Sequence, residues 1–330
     1  MQHHLTRRHT VAMALSLATL LMAPTAWTEA QAQASYPTKA IRLVNNFPPG
    51  GPADTLARSI QPVLQEALKQ PVIVDSKSGA AGNIGASEVA RSTPDGHTLL
   101  IGIDTTFTIN PHIYKSMPFK PADLKPVVIM ASSGLMVGVH PSAGIKSMKQ
   151  LLEAGKTRSF NFSSAGSGSP GHLSVEMFHD AANLKLNHIP YRGNTPAVTA
   201  IVAGEVDGGS LATPGMVPHT QSGRITPLAV TSTKRSRIAP DVPTVAELGL
   251  KELEQEILYL VMAPAATPDA VVKTLEKAIL EALQRPEVAQ RLQSLDLHFE
   301  GTGTAAATKR LADMSVRYAK TIAATGMKVE

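Results

Sequence analysis

The sequence predicts an α/β protein with two domains, each built on a mostly parallel sheet that helices flank on both faces. Three observations lead to this fold class. Apolar runs of strand length alternate with helix-period stretches over most of the chain. The length of 330 residues is sufficient for two hydrophobic cores. Two glycine-rich turns, one in each half of the chain, each follow a predicted strand and precede a predicted helix.

The first predicted domain begins with a β-α-β-α-β unit. Its first helix is indicated by Leu56, Ile60, Leu64 and Leu68, which recur every four residues and form one apolar face. Pro62 lies within this helix and is expected to kink it. In chain order the predicted elements are a strand over 41–47, this helix, a strand over 72–75, a helix over 83–91 and a strand over 98–103.

The second predicted domain begins near Val137 and repeats the same alternation. The loop before Asp104 and the stretch 127–139 are both predicted to cross between the domains. In chain order the predicted elements are a helix over 147–154, a strand over 159–163, a helix over 170–183, a strand over 188–191, a helix over 196–203 and strands over 206–211 and 225–230.

A strand over 257–263 is predicted to bring the chain back to the first domain. The sequence after it indicates helices almost throughout, the first with Thr267 as its N-cap and Pro268 at its first helical position. The first domain is therefore predicted to be discontinuous. It comprises residues 35–137 with 259–330, and the second domain comprises 138–258.

The first 34 residues have the features of a secretory signal. Arg7 and Arg8 precede an apolar stretch over 11–23, and Ala32-Gln33-Ala34 offers a small-residue cleavage site after Ala34. The apolar stretch is shorter than the roughly 20 residues that span a bilayer. Export to the periplasm is therefore predicted, by the general route or, as the alternative, by a twin-arginine route.

The composition argues against several functional classes. Aromatic residues make up 4% of the chain and no dense Lys/Arg run is interleaved with them, so no nucleic-acid partner is predicted. The net charge of +5 favours anionic ligands. Because the chain has no cysteine, its cores alone must hold the fold without disulfides. A monomer is expected.

The two glycine-rich turns are predicted anion-binding loops. The first loop covers 47–54 and the second loop covers 163–171. Each places free backbone N–H groups at a helix N-terminus, which favours negative charge. Glycine allows a ligand to approach the backbone closely, and Ser167 and Ser169 add hydroxyl donors. The alternative is that Gly and Pro only close these turns.

Three motifs suggest other chemistry, and each is incomplete. Residues 166–171 match G-x-G-x-x-G, but the acidic residue expected about 20 positions later is missing, so no dinucleotide cofactor is predicted. His172, Glu176 and His179 share one helix face, but the spacing is not that of zinc proteases, so no metal is predicted. Neither a G-x-S-x-G elbow nor a Walker loop occurs. No catalytic residue, and no enzyme, is therefore predicted.

Sequence motifs along essentially the whole mature chain, in the same order, resemble the Bug family, the receptor component of tripartite tricarboxylate transporters. The motifs are Tyr36-Pro37, 47–51 with Asp54, 79–85, 94–100, Asn110-Pro111, 163–168, 190–193, 204–207, 228–232, Arg235, 240–244 and Ala263-Pro264. Their combination is much more specific than any one of them.

The resemblance implies a two-domain periplasmic-binding-protein fold of the Venus flytrap type, similar to type II. It also implies that the protein captures a small carboxylate, aromatic or dicarboxylic, between its domains and delivers it to membrane permease subunits. The implied ligand-binding residues are Phe47, Pro49, Gly50, Gly51, Ala53 and Asp54 of the first loop, Ser163, Ala165, Ser167, Gly168 and Ser169 of the second loop, and Asp104, Thr105, Tyr191, Arg192, Leu211 and Ala212 around them.

One departure from the family concerns the residue at position 211. Many members carry an Asp at the end of the strand after 204–207, where this chain has Leu211. The substitution suggests a pocket that suits an apolar, aromatic acid better than an amino acid. Two alternatives to the transport receptor stay open: a sensor that passes its ligand signal to a membrane partner and, more remotely, an exported hydrolase.

Overall fold

The computed structural model describes residues 36–182 and 184–329, which form two β-sheets. The predicted signal and its cleavage site lie outside the described residues. In chain order the strands are β1 (Ile41–Asn45), β2 (Val72–Ser76), β3 (Thr98–Ile103), β4 (Leu124–Ser133), β5 (Leu135–Val139), β6 (Phe160–Ser164), β7 (Leu186–Pro190), β8 (Gly208–Ala212), β9 (Thr226–Val230), β10 (Ile257–Pro264) and β11 (His298–Gly303).

Helices follow most of these strands, as the alternating pattern predicts. They are α1 (Pro52–Leu68), α2 (Asn83–Ala90), α3 (Thr105–Thr108), α4 (Asn110–Ile113), α5 (Met148–Ala154), α6 (Pro170–Ala182), α7 (Asn194–Ala203), α8 (Thr213–Gln221), α9 (Asp269–Leu283), α10 (Pro286–Ser294) and α11 (Thr304–Thr325). Helix α1 buries Leu56, Ile60, Leu64 and Leu68, the apolar face read from the sequence, and it continues through Pro62.

The first sheet has six strands in the order β11-β4-β10-β3-β1-β2. Strand β1 pairs in parallel with β2 and β3, whereas β10 runs antiparallel to both β3 and β4. Central strands read as continuous apolar runs, such as Leu99 to Ile101, because both faces of the sheet are covered. The elements packed around this sheet form the first lobe.

The second sheet has five strands in the order β7-β6-β8-β5-β9. Strand β6 pairs in parallel with β7 and β8, and β5 runs antiparallel to β8 and β9. The elements packed around this sheet form the second lobe. The fold is therefore the two-domain α/β architecture that the sequence predicts, with a parallel segment in each sheet.

The chain passes between the sheets at two adjacent points. Gly134 separates β4 from β5, and a Cβ atom there would lie 2.6 Å from the Ser232 nitrogen of the returning segment. The Thr231 hydroxyl accepts a hydrogen bond from the Leu135 N–H and donates one to the Gln255 carbonyl, which ties the two passages together. The predicted passage at Asp104 is wrong, because β3 and β4 on either side of it belong to one sheet.

The last third of the chain differs from its prediction in two places. Helix α9 begins at Asp269 with Pro268 in the cap position, so Thr267 is not its N-cap. Strand β11 lies in a stretch that was predicted to be helical almost throughout, and it pairs with β4 at the edge of the first sheet. Among the described residues, no helix combines the length and the apolar character that crossing a membrane requires.

Helix α11 contacts both lobes. Tyr318 and Ile322 of this helix share an apolar cluster with Leu173 and Phe178 of α6 in the second lobe. In the first lobe, the Arg310 guanidinium pairs with Glu300 of β11 at 2.8 Å, and it also reaches Glu256, which lies directly before β10. The C-terminal helix therefore spans the boundary between the lobes.

Candidate functional site

The two glycine-rich loops occupy equivalent places in the two sheets. The first loop follows β1, which is flanked in parallel by β2 and β3. The second loop follows β6, which is flanked in parallel by β7 and β8. Each loop therefore leaves the carboxyl end of a parallel segment, where open α/β sheets bind ligands.

The Asp54 carboxylate holds the first loop in shape. It accepts hydrogen bonds from the Gly50 N–H at 3.0 Å, the Asn45 amide at 3.3 Å and the Arg58 guanidinium at 2.9 Å. Burial raises the pKa of Asp54, but these hydrogen bonds outweigh it and the net pKa is lowered. Asp54 and the Gly50 N–H thus satisfy each other, and Asp54 stabilises the loop from within instead of facing a ligand.

Other groups of the first loop stay available to a ligand. Gly51 is the N-cap of the 17-residue helix α1, and no side chain caps this end. The N–H groups of Ala53 and Asp54 in the first turn cannot bond within the helix. Pro49 is exposed and Phe47 is half-buried beside them. The loop therefore presents backbone donors and the positive end of a long helix dipole.

Asn46 joins the first loop to the 79–85 turn and to helix α3, a role that sequence reasoning missed. It is fully buried, and its amide donates to the Gly82 carbonyl and to the Thr106 hydroxyl, both at 3.1 Å. A Cβ atom at Gly82, where φ is +91°, would lie 2.4 Å from the Asn46 amide nitrogen. The glycines of the 79–85 motif were the available signal for this close approach.

Asp104 and Thr105 lie beneath the site and not at its surface. Asp104 is fully buried; its carboxylate accepts the Leu258 N–H at 2.8 Å and the Thr108 hydroxyl at 2.9 Å. Burial raises the pKa of Asp104 to about 6, although both hydrogen bonds oppose the rise. Thr105 is 4% exposed. Because the two carboxylate oxygens are occupied, Asp104 fastens β10 to α3 and is not placed to meet a ligand.

The second loop divides into internal and accessible groups. Ser163 is fully buried and its hydroxyl donates to the Ala197 carbonyl at 3.2 Å, so it joins β6 to α7. Ser169 accepts the His172 N–H and thereby caps α6. Ser167 is exposed and Ala165 is half-buried. Gly168 is buried, and a Cβ atom on it would lie 3.0 Å from Ile113 of the first lobe.

Tyr191 and Arg192 flank the second loop at the end of β7. The Tyr191 N–H donates to the Ser164 carbonyl, and the Gly193 N–H donates to the Ala165 carbonyl. Arg192 is exposed, and its guanidinium forms no salt bridge within residues 36–182 and 184–329. An unpaired cation therefore lies beside the anion-binding loop.

Leu211 does not line the site. It is 1% exposed and belongs to the apolar cluster of the second lobe that includes Ile201 and Met216. The hypothesis that Leu211 makes the pocket apolar therefore loses its structural basis. Ala212, the next residue, is half-buried at the carboxyl end of β8, and its N–H donates to the Asn194 side chain at 2.9 Å.

Two of the three α6 residues considered for metal binding, His172 and Glu176, contact each other instead. The His172 Nε2 lies 3.4 Å from a Glu176 carboxylate oxygen, whereas His179 is exposed. Within the described part of the chain, no cluster of three or more His, Asp or Glu side chains is suited to hold a metal ion. His172 instead points its other ring nitrogen at the second loop.

Comparison with known proteins gives this architecture a family. The model of the tripartite tricarboxylate transporter family receptor matches residues 56–327. Protein BugT of Bordetella pertussis is 33% identical over 305 residues, which cover 90% of this chain and 92% of BugT.

Several solved structures are similar over nearly the whole described chain. R. palustris Rpa4515 with adipate has a TM-score of 0.78 at 30% identity, over 89% of this chain and 99% of Rpa4515. Periplasmic binding protein BugD has a TM-score of 0.76 at 29% identity, over 89% of this chain and all of BugD. MatC from Rhodopseudomonas palustris with bound malate has a TM-score of 0.75 at 25% identity, over 87% of this chain and all of MatC. This chain therefore belongs to the receptor family of the tripartite tricarboxylate transporters.

Proposed function

We propose that this protein is a periplasmic receptor that captures a small carboxylate between its first and second loops, without catalysing a reaction. The observation that carries the proposal is the uncapped N-terminus of α1, which lies at the carboxyl end of the parallel strands. A helix end contributes about 0.3–2 kcal/mol to an anion and each charge-assisted hydrogen bond about 1.5–3. A few such contacts reach the roughly −8 kcal/mol of micromolar binding.

The ligand-binding set is narrower than the one implied by family resemblance. Asp54, Asp104, Ser163 and Leu211 are internal to the lobes, and the Gly50 N–H is held by Asp54. We assign ligand contact to the groups of both loops and of the adjacent strand ends that such internal contacts leave over: Phe47, Pro49, Gly51, Ala165, Ser167, Tyr191, Arg192 and Ala212, together with the first-turn backbone N–H of Ala53.

The proposed ligand is a dicarboxylate. Two structurally similar proteins, Rpa4515 and MatC, were solved with adipate and with malate, and both ligands carry two carboxylates. In this chain the α1 N-terminus offers donors to one carboxylate, and the exposed Arg192 guanidinium offers a fork of donors to a second. With Leu211 in the core, the residue at position 211 no longer argues for an aromatic acid.

The protein is also proposed to be exported and to deliver its ligand to a membrane partner. The basic and apolar pattern of residues 7–34 supports cleavage after Ala34 and release into the periplasm. The two sheets support lobes close to 35–137 with 259–330, and 138–258. Family membership supports delivery of the ligand to permease subunits.

A thermal-shift screen followed by calorimetry tests this function. Adipate and malate should raise the unfolding temperature in proportion to the logarithm of their excess, whereas benzoate should have little effect. Replacement of Arg192 by Gln should weaken adipate more than a monocarboxylate of equal length, hexanoate. A screen in which no carboxylate stabilises the protein would refute the proposal, and a preference for benzoate would refute its dicarboxylate part.

A further inference from the structure

His172 of α6 lies directly behind the second loop, 7% exposed. The Gly168 N–H donates a hydrogen bond to its Nδ1 at 3.1 Å, so Nδ1 carries no proton. The Nε2 atom lies 3.4 Å from a Glu176 carboxylate oxygen and is therefore the protonated nitrogen. In this geometry the imidazole is neutral, and its lone pair holds a glycine amide of the loop.

His188 of β7 supports the same loop from a second direction. Its ring stacks on the His172 ring, with centroids 3.8 Å apart and planes 6° from parallel. Its Nε2 lies 2.6 Å from the Ser164 hydroxyl oxygen. That hydroxyl donates to the Gly166 carbonyl and accepts the Gly166 N–H, both at 3.1 Å. The His188 Nε2 donates to this hydroxyl in one tautomer and accepts from it in the other, so in both the ring holds Ser164 against the loop.

Burial opposes an imidazolium in this stack. Burial and the neighbouring His172 together lower the pKa of His188 to about 4, although the Glu176 carboxylate opposes the shift. Glu176 and His179 are the titratable groups of α6 that face the pair, and Thr325 of α11 bonds to Glu176. Burial raises the pKa of Glu176, but hydrogen bonds from His172 and Thr325 outweigh it, so the net pKa is lowered.

We propose that His172 and His188 are positioning residues that hold the second loop in its binding conformation, and that His172 does so only as a neutral imidazole. The inference rests on the carboxylate-binding function proposed above. Protonation of His172 at Nδ1 would set an N–H against the Gly168 N–H, and the loop would have to move. Carboxylate affinity should therefore fall on acidification, whereas a histidine that merely attracted the anion would make it rise.

Three variants separate this role from general packing. H172N keeps a hydrogen-bond acceptor near the Nδ1 position, H172F keeps an aromatic ring without an acceptor, and H298F removes an equally buried histidine on β11. For adipate, H172F should weaken binding about tenfold or more, H172N by less than about threefold, and H298F by less than about twofold. The proposal is overturned if H172F binds like the unmodified protein or if H172N is as weak as H172F.

Two further measurements address the protonation state. Adipate affinity should fall on acidification of the unmodified protein and stay flat in H172N. Nitrogen-15 NMR should show His172 with a proton on Nε2 only, and Gly168 amide exchange should accelerate in H172F. If no carboxylate binds, the proposed function fails, yet the NMR data still decide whether His172 holds the loop. A His172 protonated at Nδ1, or an affinity that rises with acid, would overturn the inference.

Discussion

In both the first and the second loop a side-chain acceptor holds a glycine N–H, but the acceptor group differs. In the first loop, the ionised Asp54 carboxylate accepts the Gly50 N–H. In the second, the neutral His172 imidazole accepts the Gly168 N–H. The lowered pKa of Asp54 keeps the first loop held throughout the neutral range, whereas imidazoles change charge between about pH 5 and 8. A glycine turn can therefore be fixed permanently or conditionally, according to the acceptor behind it.

The largest effect is expected from removal of the charged acceptor. D54A leaves the Gly50 N–H, the Asn45 amide and Arg58 without their partner, and should lower the free energy of unfolding by about 2–3 kcal/mol. Adipate affinity should fall more than about tenfold. D269A is the matched control, since Asp269 also lies in the first turn of a helix. Chemical denaturation measures the free energy of unfolding and calorimetry measures the adipate affinity. If D54A and D269A lost the same amounts of both, Asp54 would have no special role in holding the first loop.

A pair of glycine substitutions separates backbone strain in the first loop from the same strain far from the loop. Gly50 and Gly144 have φ values of +82° and +71°, and an added Cβ would meet nothing within 4 Å at either position. G50A and G144A should therefore both lose about 1–2 kcal/mol of stability from left-handed strain. Only G50A should weaken adipate binding as measured by calorimetry. Equal affinities in the two variants would mean that the first loop is only a turn.

Acid titration of stability distinguishes two buried groups. The pKa of His188 is lowered to about 4, so the unfolded chain binds the proton first and stability is lost as pH falls below about 6.5. The pKa of Asp104 is raised to about 6, so the folded protein binds the proton first and stability is gained as pH falls from about 6 to 4.

Variants of these two groups should therefore shift the acid dependence in opposite directions. On acidification, H188Q should lose about 1–2 kcal/mol less free energy of unfolding than the unmodified protein, whereas D104N should lose more by a similar amount. Urea unfolding at several pH values between about 4 and 7 measures both slopes. If both variants changed the acid dependence in the same direction, the pKa shifts assigned to His188 and Asp104 would be contradicted.

The smallest effect is expected at Arg58. Its guanidinium pairs with Asp54 at 2.9 Å, but the side chain is 52% exposed. R58M should therefore cost less than about 1 kcal/mol, because solvent screens exposed ion pairs. Its adipate affinity should remain close to that of the unmodified protein. A loss as large as that of D54A would show that Arg58, and not the loop amide, stabilises the carboxylate.

Local patterns predicted the loops but not the roles of their polar residues. The glycines and prolines of 47–54 and 163–171 mark turns after strands, and that signal is short-range. Asp54, Asp104 and Ser163 were predicted to contact ligand, yet each is buried and bonded to backbone groups of the protein. A polar residue beside a glycine turn can satisfy the turn itself, and the sequence does not distinguish the two uses.

Other differences between the predicted and the observed structure arise from the phase of a strand and from the pairing of strands that are distant in sequence. Strand β8 covers Gly208–Ala212, and in this phase Leu211 points into the core. Strand β11 reads His-Phe-Glu-Gly-Thr-Gly, with no apolar run, because it lies at the edge of the sheet. Helix α8 was missed since it contains Pro218 and has little apolar periodicity. The insertion of β10 between β3 and β4 depends on contacts distant in sequence, which no local pattern reports.

Because β10 lies in the centre of the first sheet, the two sheets are completed in a fixed order while the chain is synthesised from its N-terminus. The second sheet needs only residues 135–230, so it can close while the C-terminal third is still being made. The first sheet stays open between β3 and β4 until residue 264 has followed. Until then both strand edges and the fully apolar stretch from Val127 to Ala131 remain uncovered, which is where nascent chains self-associate. The lobe that begins first is therefore completed last, and its unfinished interior is the part of the nascent molecule that needs protection.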